Sequence, residues 1–212
     1  MVMEINDNSI GVVDYGCGNL FSVENAIKKI TKNYFISSDY EKLKSADRII
    51  LPGVGSFSKA MSNLRALGID DLIIEHVNSG KPLLGICLGM QILLSKGYEH
   101  GETKGLDLVS GEVLLFPSLE GYRIPHMGWN EVLYKSDVPN EFENIDNKTC
   151  FYFVHSYYCD VTEDIKKVYV NYCDMDVVVG FEKGNIKGVQ FHPEKSQDAG
   201  IYLLRQFING GT

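Results

Sequence analysis

The run Leu83-Leu84-Gly85-Ile86-Cys87-Leu88-Gly89-Met90-Gln91 passes from apolar β-type residues through a Gly-x-Cys-x-Gly turn into a helical pattern. The two glycines let the backbone turn sharply from strand to helix and bring the middle side chain to the top of the turn. A strand that feeds directly into a helix is the repeating joint of a parallel sheet covered by helices. Two readings of Cys87 stay open on this run alone: a nucleophile, or a buried thiol in a Gly-rich turn. At a helix N-terminus, free N–H groups favour the thiolate, which is the form that attacks.

Upstream, Ile10-Gly11-Val12-Val13 reads as a first strand, and Asn19, a good N-cap, opens a helix through Val23, Ala26, Ile27 and Ile30. Residues 34–37 read as a second strand, and residues 48–51 as a third that stops at Pro52-Gly53. Phe57, Ala60, Met61 and Leu64 then fall on one helical face. A further helix over 70–79 leads through Gly80-Lys81-Pro82 into the quoted run, which continues as helix from Gln91 to Leu94. Between Leu106 and Phe191 short β-rich segments follow one another, at 106–109, 112–116, 130–134, 151–158, 168–172, 177–181 and 186–191. A last helix carries Ile201, Leu204 and Ile208. The expectation is one α/β domain over residues 1–212: a mixed, largely parallel central sheet flanked by helices, with antiparallel strands in the second half.

Composition narrows the function. Twenty Lys plus Arg against 28 Asp plus Glu give a net charge of -8, which repels phosphate backbones and anionic membranes, so neither nucleic acid nor membrane is an expected partner. Five scattered cysteines (Cys17, Cys87, Cys150, Cys159, Cys173) with no CxxC pair read as reduced thiols. The first nine residues lack the apolar core of a signal peptide and no apolar run is long enough to span a bilayer, so a cytoplasmic location is expected. Cys150 and Cys159 have no His at ligand spacing, and no metal is expected. Gly16-Cys17-Gly18 has Phe21 where a dinucleotide fingerprint needs its third glycine, so no cofactor is expected either.

A cysteine nucleophile needs a base. Of the five histidines, His192 stands in His192-Pro193-Glu194 after an apolar strand; in an extended segment, residues two apart project to the same side, so Glu194 is placed to orient the ring. Proline is expected to hold that segment out of a helix. The alternative is an exposed His and Glu at a strand end. Acyl transfer also needs oxyanion donors, and Pro52-Gly53-Val54-Gly55 follows the third strand at the carboxyl edge of the sheet. The N–H groups of Gly53 and Val54, with that of Leu88 after the nucleophile, are the candidates, against the alternative of a simple turn. Gln91, four residues after Cys87, faces the same cleft if the helix continues.

Gly85-Ile86-Cys87-Leu88-Gly89-Met90-Gln91 together with Gln190-Phe191-His192-Pro193-Glu194 resembles the class I, triad-type glutamine amidotransferases. Residues 14–20, 52–57, 125–130 and 152–157 resemble, more narrowly, the glutaminase subunits of imidazole glycerol phosphate synthases, and the likeness spans almost the whole chain. The resemblance implies a flavodoxin-like fold and hydrolysis of glutamine through Cys87, His192 and Glu194, with Gln91, Glu99, His155, Ser156 and Tyr157 shaping the glutamine pocket. It also implies a heterodimeric partner, a (β/α)8-barrel cyclase of histidine biosynthesis, because one amidotransferase domain consumes the chain and leaves no room for an ammonia acceptor site. Asn19 and the 52–55 loop are expected to link partner ligand binding to glutaminase activation. Trp129 is either an aromatic anchor on the docking face or a plain core residue. The rival readings are a paralogous glutaminase feeding a surface-sugar amidotransferase, a cysteine peptidase or γ-glutamyl hydrolase, and a silent binding module.

Overall fold

The computed structural model describes residues 8–134 and 139–210. Most of the N-terminal stretch read for a signal peptide, residues 1–7, lies outside them. Strand β1 (Ile10–Val13) leads to α1 (Leu20–Lys28), whose first turn is capped by Asn19, its side chain accepting the Ser22 N–H at 3.4 Å. Strand β2 (Tyr34–Ser37) follows, then α2 (Tyr40–Lys44). This helix, capped by Asp39 on the Lys42 N–H at 2.8 Å, is too short to show a periodicity and went unread in the sequence. Next come β3 (Arg48–Gly53), α3 (Phe57–Ala66), α4 (Ile69–Asn78), β4 (Leu83–Cys87) and α5 (Leu88–Gln91). The buried face of α3 is the predicted set Phe57, Ala60, Met61 and Leu64.

Two expectations are corrected here. Strand β3 does not stop at Pro52-Gly53 but runs through both, pairing Pro52 with Ile86 and Gly53 with Cys87. Its ladder with β1 ends at Ile50, so Pro52, which has no N–H, has a strand neighbour on one side only. The helix expected to continue over 91–94 ends after one turn, and Leu94 opens a new strand.

That strand is β5 (Leu94–Gly97), followed by β6 (Thr103–Lys104), β7 (Val109–Leu115), β8 (His126–Glu131), β9 (Cys150–His155), β10 (Tyr157–Val161), β11 (Lys166–Tyr172), β12 (Met175–Lys183), β13 (Ile186–Val189) and α6 (Gln197–Asn209). The strand expected at 106–109 begins only at its last residue and merges with that expected at 112–116. The strand expected at 130–134 lies earlier, at 126–131, with a single bridge from Leu133 to Tyr169 beyond it. The apolar run 151–158 is two strands broken at Ser156, because β9 pairs with β8 in a separate ribbon while β10 joins β7 in the main sheet. Periodicity within one run cannot tell which sheet each half belongs to.

The main sheet runs β2-β1-β3-β4-β13-β12-β10-β7-β5-β6, with β11 on β12. Its first five strands are parallel, and antiparallel pairing begins where β12 meets β13. Alternation along the central strands divides the interior into two cores: Ile49, Leu51 and Leu83 pack with α3 and α4, while Ile50, Leu84 and Ile86 pack with α1 and α6. Among the described residues, no helix is long and apolar enough to cross a membrane.

Candidate active site

Three neighbouring parallel strands, β3, β4 and β13, deliver Gly53, Cys87 and His192 to one edge of the sheet. Gly53 and Cys87 are register partners at the strand ends, and Val189, three residues before His192, pairs with Ile86. Cys87 is the hinge between strand and helix, with φ 56° and ψ -111°, a backbone state a non-glycine residue rarely occupies. The flanking glycines permit that turn because their neighbours leave no room for a side chain. A Cβ on Gly85 would lie 2.6 Å from the Gly89 carbonyl, and one on Gly89 would be driven into the Leu51 carbonyl.

His192 and Glu194 meet as the spacing predicts, with His192 Nδ1 2.8 Å from Glu194 Oε1. The backbone does so differently from the expected extended form. Residues Pro193–Lys195 make a turn of 3-10 helix with His192 as its cap, and proline suits the first position of such a turn because its missing N–H would have no partner there. Ser196 fixes the turn: its hydroxyl donates to the His192 carbonyl at 2.7 Å and accepts the Tyr152 N–H at 3.0 Å. Both members of the pair are buried, so the alternative of an exposed pair does not hold. Nδ1 donates to the carboxylate, which leaves Nε2, without a hydrogen bond, as the ring atom able to exchange a proton. Burial disfavours a charged ring, but Cys87 and Glu194 more than offset it, and the pKa of His192 is raised.

Beside this pair lies a cleft of about 350 Å³. Of the residues singled out in the sequence, Cys87, Leu88, Val54, Gln91, Glu99, His155, Ser156, Tyr157 and His192 line it. Gly53 and Glu194 stand behind the lining. Asn19 and Trp129 lie outside the cleft; Trp129 is 48% exposed on β8, beside Met127 at 66%, so it is not a core residue. Gly55, from the 52–55 loop, and Pro125 and Val154, from the segments 125–130 and 152–157, also line the cleft, though none was assigned a role of its own. Two further buried groups stood in the quoted motifs without a role: Gln190, two residues before His192, and Tyr15, whose hydroxyl sits where a Cβ on Gly53 would go.

The polar groups beside the sulfur form a connected network. Gln91 Nε2 donates to the Tyr157 carbonyl at 3.1 Å and to Gln190 Oε1 at 2.9 Å. Both its amide hydrogens are thereby engaged, leaving Gln91 Oε1 as the free acceptor. His155 faces the same carbonyl at 2.8 Å through Nδ1, and its Nε2 meets His126 Nδ1 at 3.0 Å. His126 Nε2 in turn lies 3.3 Å from Asn130 Nδ2. Burial lowers the pKa of His126 to about 4 and that of His155 to about 3, so both rings are neutral at ordinary pH.

Comparison with known proteins gives a consistent picture. The family described as Glutamine amidotransferase class-I matches residues 12–209. The chain is 44% identical over 205 residues to the imidazole glycerol phosphate synthase subunit HisH of Geobacillus sp. (strain WCH70), covering 94% of this chain and 96% of the relative. It is 45% identical over 200 residues to subunit HisH 1 of Campylobacter jejuni (strain RM1221), covering 94% and 98%. A solved glutamine amidotransferase superposes with a TM-score of 0.73 at 19% identity, covering 95% of this chain and 98% of the other. The structure of PurLQS from Thermotoga maritima gives 0.70 at 20%, covering 96% and 99%. These two likenesses concern the fold alone.

Proposed function

The chain belongs to the class-I glutamine amidotransferases, and from that premise we propose that residues 1–212 act as one cytoplasmic glutaminase domain. It hydrolyses glutamine to glutamate and ammonia. The ammonia passes to a (β/α)8-barrel cyclase subunit that forms imidazole glycerol phosphate and aminoimidazole carboxamide ribotide in histidine biosynthesis. The observation that carries the reading is Cys87 on its strained turn at the same sheet edge as the His192–Glu194 pair. The names of the relatives support the pathway and the partner.

The Cys87 thiolate attacks the side-chain amide carbon of glutamine, and the carbonyl electron pair moves onto oxygen. The N–H groups of Leu88 and of the Gly53–Val54 segment stabilise that oxyanion. Collapse breaks the C–N bond as His192 Nε2 hands its proton to the departing ammonia, leaving a glutamyl thioester. Neutral His192 then takes a proton from water, whose oxygen attacks the thioester and releases glutamate and the thiolate. Glu194 holds the ring in the tautomer that puts Nε2 at the reacting atoms. Gln91, Glu99, His155, Ser156 and Tyr157 bind the substrate, Gln91 offering Oε1 to an N–H of glutamine. The exposed Trp129 and Met127 on β8 and Asn19 at the start of α1 form part of the docking face.

The test is glutamate release from glutamine by the chain alone and with a cyclase partner plus its imidazole substrate, with Cys87→Ala as control. Release that rises in the complex and vanishes in Cys87→Ala, while synthesis from ammonium salts persists, is expected. Release indifferent to the cyclase would refute the pathway, and the absence of any Cys87-dependent release would refute the glutaminase.

A further inference from the structure

The Tyr157 carbonyl can only accept hydrogen bonds, so every group facing it must be a donor. That one atom fixes the orientation of the Gln91 amide, whose Nε2 reaches it at 3.1 Å. The same Nε2 donates to Gln190 Oε1 at 2.9 Å, which obliges Gln190 to turn its own Nε2 the other way, where it lies 3.6 Å from Cys87 Sγ. Gln190 is fully buried, and its backbone N–H is tied to the Val179 carbonyl at 2.9 Å. With its oxygen held by Gln91 and its side chain buried, Gln190 presents an amide N–H to the sulfur.

We propose that Gln190 is a positioning residue for the nucleophile: its N–H, aimed by Gln91 and the Tyr157 carbonyl, holds the Cys87 sulfur at the cleft wall and stabilises negative charge on it. The proposal rests on Cys87 being the nucleophile. A hydrogen bond strengthens when its acceptor is ionised, so the amide favours thiolate over thiol before attack. The bond weakens when sulfur becomes the neutral thioester and recovers as the thiolate leaves, so it assists both halves of the cycle. His192 also stabilises the thiolate, but it carries a proton that the thiolate can take. An amide N–H holds the charge without competing for that proton. The other titratable groups near the sulfur are Tyr15, from the segment after β1, and Cys159 on β10; burial raises the pKa of both and keeps them neutral. Glu99 and His155 line the cleft beyond, and Glu194 acts through His192.

The full-length chain with Gln190→Met tests this, with Gln190→Glu as the variant of matched shape. Iodoacetamide alkylation of Cys87, read by peptide mass so that exposed Cys150 does not interfere, is followed from acid to alkaline pH. Folding is checked by circular dichroism. Loss of the donor is expected to move the midpoint of the alkylation profile up by about one pH unit. In the partner complex kcat should fall about tenfold while KM for glutamine changes less than about twofold. Gln190→Glu, which sets a carboxylate acceptor beside the sulfur, should move the profile further the same way. A folded variant with an unchanged profile and kcat would overturn the proposal, as would a loss of thermal stability with the profile in place, which marks a packing role alone. If Gln190→Met does not fold, Gln190→Glu decides by the same two readouts. Alkylation needs no glutamine, so a shifted profile in a chain that releases no glutamate would retain the positioning role and remove the glutaminase reading.

Discussion

The Glu99 carboxylate accepts the Phe57 N–H at 2.8 Å, so a residue on the cleft wall is also the cap of α3. Ser56, the cap residue by position, makes no such bond with its side chain. Glu99→Ala should therefore act twice, destabilising the fold by about 0.5–2 kcal/mol, as lost caps do, and raising KM for glutamine. Urea denaturation and glutaminase kinetics on the same preparation check both. A variant with lowered affinity and full stability would show that the cap carries no weight.

Cys87 holds a backbone conformation whose cost is on the order of 1–3 kcal/mol for a residue with a side chain. Alanine at this position keeps the strain and glycine removes it. Cys87→Gly should be more stable than Cys87→Ala by about 1 kcal/mol, and so unfold at a higher temperature, inverting the usual order of the two residues. Both should release no glutamate. Calorimetry on the pair decides, and a more stable alanine variant would show the turn to be relaxed.

His126 and His155 carry depressed pKa values of about 4 and about 3 against an ordinary 6.5. Between those limits the unfolded chain binds protons that the folded chain does not, so the stability these rings allow is complete above about 6.5 and falls as pH drops. Each contributes a slope of up to about 1.4 kcal/mol per pH unit. His126→Gln should be less stable than the parent near neutrality, yet lose less on acidification, so that the two melting curves converge. Parallel curves would mean that the rings are not held neutral.

Trp129 meets the Tyr152 ring edge-on at 6.0 Å and leaves about half its surface open. Its removal should cost the isolated chain no more than about 0.5 kcal/mol. Affinity for the cyclase partner, by contrast, should drop about tenfold or more, as for an aromatic interface anchor. Titration calorimetry against the partner, beside thermal melting of the free chain, separates these. Unchanged affinity would remove Trp129 from the docking face.

What the sequence made legible was local. The elbow at Cys87, the apolar face of α3 and strand β2 each depend on residues within one element, and each could be read there. The apolar run at 92–94 could not: Leu94 pairs with Val109 in a sheet, and nothing within the run separates that from another helical turn. Ser156 likewise ends one strand only because the flanking strands belong to different sheets. At the site, the types and spacing of Cys87, His192 and Glu194 carried their own chemistry. The cap made by Glu99 spans 42 positions and the Gln91–Gln190 contact 99, and no local pattern encodes either.

Strand β13, almost the last piece of the chain, is inserted between β4 and β12 in the interior of the sheet, against a neighbour about a hundred residues earlier. During synthesis the Cys87 thiol leaves the ribosome long before the His192 imidazole that shares its cleft. A chain stalled before β13 carries the Cys87 elbow without His192 beside it. The pairing of β13 with β4, the strand that carries the elbow, is therefore what brings the two distant segments to one cleft.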